Sequence, residues 1–144
     1  MIVVVDTSVF VAALLGPSGA SRGVLRACLD GRLRPLMGAA LFAEYESLLG
    51  REALFRGCPL DRSQREAVLN SFLSVCRWTV IYFSWRPNLR DEADIHVIEL
   101  AVAGAANVVV TKNARDFRSA ELHFPGLRIL QPEELQKEMQ SWVP

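Results

Sequence analysis

Apolar positions along the chain fall into two kinds of run, and their alternation predicts the fold. Residues 2–5 and 108–111 are short, β-branched and scarcely interrupted by polar positions, as in strands buried on both faces of a parallel sheet. Residues 33–38, 78–83 and 127–130 supply further strand candidates. Between them the period becomes helical. The predicted helices cover 9–15 (with Thr7 and Ser8 able to cap it), 20–29 (closed by Asp30-Gly31), 39–52, 60–76 (opened by Asp61), 90–103 and 132–139. Breakers fall at 16–19 and 86–88, and 55–59 reads as a loop. No repeat, low-complexity tract or linker divides the chain, so 1–144 is predicted to be a single domain. Strands alternating with helices imply right-handed βαβ units. The predicted class is α/β, a three-layer α/β/α sandwich with a mostly parallel sheet.

Polar residues that break this pattern mark the candidate chemistry. Open parallel sheets bind ligands beyond the carboxyl ends of their strands, where the strand order switches. Asp6, Thr7 and Ser8 follow the first apolar strand, and Thr111, Asn113 and Asp116 follow the later one. Were these strands neighbours, Asp6 and Asp116 would face one crevice, although Asp6 alone also suits a helix N-cap. Glu44 falls three residues after Leu41 and four before Leu48, inside an apolar stripe that Tyr45 completes. A carboxylate aimed at a core is costly unless paired or metal-bound; at the stripe's edge it would meet one of the many arginines instead. Glu46 projects to the wet face. On the helix over 90–103, Asp91 and Asp94 share a face with Ile95, Ile98 and Ala101, and Asp91 in a first turn also suits the helix dipole. Glu92, His96 and Glu99 are assigned to the opposite, solvated face, with an ion pair between 92 and 96.

Composition narrows what these acids can do. Sixteen basic residues balance sixteen acidic ones, which excludes a broadly basic nucleic-acid coat but not a local patch. Only Lys112 and Lys137 among the cations are lysines; the arginine bias suits phosphate contacts, but a GC-rich genome gives the same bias and is its first explanation. Three dispersed cysteines indicate neither disulfides nor structural zinc, and two histidines exclude a His-rich metal site. No apolar run approaches the roughly 20 residues that span a bilayer, and no signal-peptide pattern follows Met1. The expectation is a reduced, cytoplasmic protein with no membrane contact.

Asp6, Glu44, Asp94 and Asp116 can converge at one end of the sheet. Like charges at about 4 Å repel by roughly 4 kcal/mol at an effective dielectric of 20, so such a cluster needs a cation or raised pKa values. Oxygen donors without Cys or His ligands select Mg²⁺ or Mn²⁺, ions suited to phosphate esters. There is no Ser-His-Asp or Cys-His set, Walker loop or GxGxxG. Metal-assisted phosphodiester hydrolysis remains. A phospho-acceptor receiver domain leaves Glu44 unexplained, and an Asp-x-Asp phosphatase fails because Ser8 takes the second acid's place.

The segments VVVDTSVFVAALL, FAEYESLLGRE and RDEADIHVIELAVAGAANVVVTKNARDF together resemble the PIN-domain ribonucleases, and among them the VapC-type toxins of toxin–antitoxin pairs. The likeness runs from about Ile2 to Pro132, with 54–90 unspecific. It implies a metal-dependent endoribonuclease with Asp6, Glu44, Asp94 and Asp116 as catalytic and metal-holding acids. Ser8 and Thr111 match hydroxyl positions that orient water or the acids, and Asp91 resembles an extra acid of one subset. Asn113 stands where many relatives have Asp, which weakens a second metal position. Lys112, Arg115 and Arg118, with Arg86 and Arg90, become candidate RNA contacts, though solvated helix charges are the first explanation of each. The implied partners are RNA, a cognate antitoxin protein and, as in most relatives, a second copy in a homodimer. The rival within this resemblance is a nucleolytically weak or inactive PIN-like module that binds RNA or protein in a regulatory role.

Overall fold

The structure, a computed structural model, describes residues 1–16, 19–81 and 95–142. Five strands form one sheet: β1 (Ile2–Val5), β2 (Arg34–Met37), β3 (Arg77–Trp78), β4 (Val108–Val110) and β5 (Arg128–Leu130), in the order β3-β2-β1-β4-β5. Every neighbouring pair is parallel. The two apolar runs lie side by side, with Val3, Val4 and Val5 opposite Val108, Val109 and Val110. All six are buried, as unalternating hydrophobic strands require.

The chain starts at the centre of the sheet, steps outward through β2 to β3, then returns to β4 and β5 on the other side. The strand order therefore reverses between β1 and β4. Helices α1 (Thr7–Leu15), α2 (Ala20–Leu29), α3 (Ala39–Leu49) and α4 (Arg62–Val75) connect the first three strands. Helices α5 (Ile95–Ala103) and α6 (Ala114–His123) accompany the return, and α7 (Pro132–Gln140) follows β5. Right-handed crossovers in opposite directions separate most of the first set from α5 across the sheet, with α3 touching both α1 and α5. Accordingly α2 packs against α1, α4 and α7, whereas α5 packs on β1, β2 and β4. This is the three-layer α/β/α arrangement. Among the described residues no single helix is long and apolar enough to cross a membrane.

Several boundaries differ from the sequence reading. The helix after β1 starts at Thr7 rather than beyond Ser8, with Asp6 at the N-cap making no side-chain cap bond; the hydroxyls of Thr7 and Ser8 turn to carboxylates instead. The helix expected over 39–52 stops at Leu49, and a 3-10 turn covers Glu52–Phe55, where Glu52 receives two bonds from the buried Arg65. Asp61 does open α4, in a capping box with Gln64. The edge strand β3 is only two residues long, and positions 82–83 of the predicted strand lie outside the described residues. Helix α6 was not anticipated: its sequence is mostly polar, and Phe117 is fully buried in its middle.

The assignment of His96 and Glu99 to a solvated face is wrong. Ile95, Val97, Ile98, Glu99, Leu100 and Ala101 of α5 are all buried, so this helix has core on most of its circumference. His96 turns toward α3, not toward water. Glu92, its predicted partner, lies outside the described residues.

Candidate acidic site at the switch point

The ends of β1 and β4 are stitched together by hydroxyls. The Asp6 N–H donates to the Val110 carbonyl (2.9 Å) and so continues the ladder by one residue. The residue is only 5% exposed. Ser8 Oγ donates to Asp6 Oδ2 at 2.9 Å, and Thr111 Oγ1, fully buried, donates to the same oxygen at 2.8 Å. Each hydroxyl is fixed in turn by a backbone amide: the Lys112 N–H donates to Ser8 Oγ (3.1 Å) and the Asn113 N–H to Thr111 Oγ1 (3.0 Å). Burial drives the Asp6 carboxyl above its usual range; the Thr111 and Ser8 bonds oppose this, and the negative charge of Glu44 reinforces it.

Glu44 approaches from α3. The Thr7 hydroxyl donates to its Oε1 at 2.6 Å, and His96 Nε2 lies 2.7 Å from its Oε2. An ionised carboxylate only accepts, so this geometry assigns the proton to Nε2. The His96 bond is the main reason that the Glu44 carboxyl sits below its usual range; partial burial works against it, and the Thr7 bond adds to it. The next residue, Tyr45, is buried and donates its hydroxyl to the Val5 carbonyl at 2.5 Å. The backbone before Asp6 is thereby tied to the helix that carries Glu44.

This pairing of a first-strand Asp with a third-helix Glu at the switch point accompanies a match in sequence: the family model of the PIN domain covers residues 2–115. The chain belongs to the PIN-domain family. Members of that family are generally metal-dependent nucleases. Among solved structures this PIN domain is similar to VapBC2 from Rickettsia felis, crystallised bound to a DNA fragment from their promoter. The TM-score is 0.59 at 15% identity, over 91% of this chain and 98% of that one. Such identity bears on fold alone. No curated protein sequence matches the chain.

Within the PIN domain, the structure brings Asp6, Glu44, Ser8 and Thr111 together, along with the backbone amides of Lys112 and Asn113. Asp116 lies in the first turn of α6, where its N–H donates to the Asn113 carbonyl (3.0 Å) and its side chain is exposed. Lys112, Asn113 and Arg115 have exposed side chains on the same stretch. Asp91 and Asp94, with Arg86 and Arg90, lie outside the described residues. Among the described residues no group of three or more His, Cys, Asp or Glu side chains is assembled to hold a metal. The oxygen donors of Asp6 and Glu44 nonetheless suit a hard divalent cation. Asp6 in particular is a buried carboxylate to which both hydroxyls donate through one oxygen.

Thr7 and His96 are the site residues missed by sequence reasoning. The signal for His96 was available: IHVIELAVA is apolar nearly all round, and such a helix has little wet face to offer. Thr7 carried no comparable signal, because a hydroxyl beside Asp6 serves equally well as a cap.

Proposed function

We propose that this protein is a Mg²⁺- or Mn²⁺-dependent endoribonuclease, the toxin of a toxin–antitoxin pair. The observation that carries this reading is the meeting of Asp6 and Glu44 at the β1–β4 switch point, each held by hydroxyl or imidazole donors. Asp6 and Glu44, with Asp94 and Asp116, form the proposed metal-holding and catalytic acids. Ser8 and Thr111 orient Asp6; Thr7 orients Glu44. Asp91 and Asn113 stand beside these acids in sequence as accessory groups, and the exposed Lys112 and Arg115 are the proposed contacts to the phosphate backbone. When bound, a divalent ion activates water and neutralises charge that builds on phosphate oxygens. The proposed protein partner is an antitoxin, by analogy with the Rickettsia felis VapBC2 whose fold the chain shares.

The test is cleavage of single-stranded RNA with Mg²⁺, Mn²⁺ or EDTA by wild type, Asp6→Asn and Asp94→Asn. Metal-dependent cleavage by the wild type, lost in both variants, is the expected result. Equal cleavage by all three would identify a contaminant. RNA binding without metal-dependent cleavage would replace the proposal with the regulatory-module reading.

A further inference from the structure

We propose that His96 is a positioning residue that locks the Glu44 carboxylate in its working orientation, an inference that rests on the acidic site being a cation-holding centre. His96 lies in the first turn of α5, and Glu44 lies in the middle of α3. The two helices pack against each other, and the imidazole bridges them through one bond, Nε2 to Oε2 at 2.7 Å. Thr7, on a third helix, holds the other oxygen at 2.6 Å. One donor on each oxygen, from two separate elements, fixes both the position and the plane of the carboxylate. A glutamate on a helix surface otherwise samples several rotamers, and that freedom would be lost each time a ligand bound.

The rest of the imidazole argues against a purely structural role. Its Nδ1 is buried and has no hydrogen-bond partner among the described residues. A histidine retained to stitch helices together would be expected to satisfy both nitrogens. Here, among the described residues, the ring leaves one nitrogen unmatched and its one hydrogen bond goes to a site acid. Groups that orient metal-holding carboxylates typically account for about 10- to 100-fold in metal affinity or activity.

The test uses the full chain, with Mn²⁺ titrated by calorimetry and RNA cleavage measured in parallel, for His96→Ala, His96→Asn and His96→Gln. Gln can present an N–H where Nε2 stands, whereas Asn is too short to do so. Mn²⁺ affinity is expected to fall about ten-fold or more in the Ala and Asn variants and to be largely restored in Gln. Thermal unfolding in EDTA provides the fold control, and if the Ala variant does not fold, the contrast between Gln and Asn decides. Wild-type affinity in Asn, or Gln as impaired as Asn, would overturn the positioning role while leaving the nuclease reading intact. A wild type that neither takes up Mn²⁺ nor cleaves RNA would remove both.

Discussion

Replacing Tyr45 by Phe removes one oxygen from the place where the two acid-bearing segments are joined. The ring is buried edge-on against Phe10 (centroids 5.1 Å apart, planes at 88°) and 6.0 Å from Phe72, and Phe keeps those contacts. Burial pushes the phenol well above its ordinary value, with the negative charge of Asp6 adding to the effect, so the hydroxyl remains a donor throughout the working pH range. What is lost is the bond to the Val5 carbonyl, leaving a buried acceptor without that donor. This costs about 1–3 kcal/mol, a substantial share of the roughly 5–15 kcal/mol by which a domain is stable. At about 2–4 °C per kcal/mol for a chain near this size, a 2 kcal/mol loss lowers the midpoint by about 4–8 °C. Urea unfolding followed by circular dichroism in EDTA measures it, with a lower midpoint and an unchanged m-value expected. The same bond anchors the residue before Asp6 to the residue after Glu44. Misplacement of about 1 Å can cost on the order of 100-fold in rate, so RNA cleavage should also slow at temperatures where the variant is fully folded. A stability change under about 0.5 kcal/mol together with wild-type cleavage would refute the anchoring role.

Asp6 and Glu44 should tilt the pH dependence of stability in opposite directions in metal-free buffer. With its folded value raised, Asp6 stabilises the native state fully below its ordinary 3.8 and loses that contribution as pH rises through the folded value; the Asp6→Asn midpoint should therefore gain on wild type as pH rises above 3.8. With its folded value lowered, Glu44 stabilises above its ordinary 4.5 and loses that contribution as pH falls through the folded value; Glu44→Gln should therefore lose ground to wild type as pH rises. Parallel melts across pH test both, and slopes of the same sign would contradict the assigned environments. Gly104→Ala places a methyl against the side chain of Leu36, itself buried in the core; thermal unfolding should show a loss of about 1–3 kcal/mol, with Mn²⁺ affinity unchanged.

What the sequence made legible follows from where its patterns are local. Uninterrupted valines announce a strand with no wet face, and two such runs were enough to set the centre of the sheet. Glu44 stood out because it interrupts an apolar stripe, a fault visible within one helix. Residues whose roles depend on tertiary neighbours were harder to read. Thr7 and Ser8 can donate to a helix end or to a carboxylate, and only the approach of α3 and β4 decides between them. His96 was misplaced for a similar reason: helical spacing set it opposite Asp94, but burial of nearly the whole of α5 removed the solvent expected there. Helix α6 escaped because Ala114 and Phe117, among its described side chains, are the buried ones in a charged segment, too little for a period to show.

The opposite shifts of the two acids explain why the site is costly as a metal-free structure. Glu44 is only partly buried and has a proton-bearing nitrogen against one oxygen, so its charge is supported by the fold itself. Asp6 is enclosed, its two hydroxyl bonds do not offset its loss of water, and the charge of Glu44 works against its own. A well-packed core does not need an ionised group there; an Asn would avoid the penalty for charge while keeping an acceptor for Ser8 and Thr111. The strained member is Asp6, and what would relieve it is positive charge brought in from outside the fold. Stability alone therefore gives no reason for an Asp at this position, whereas cation binding does.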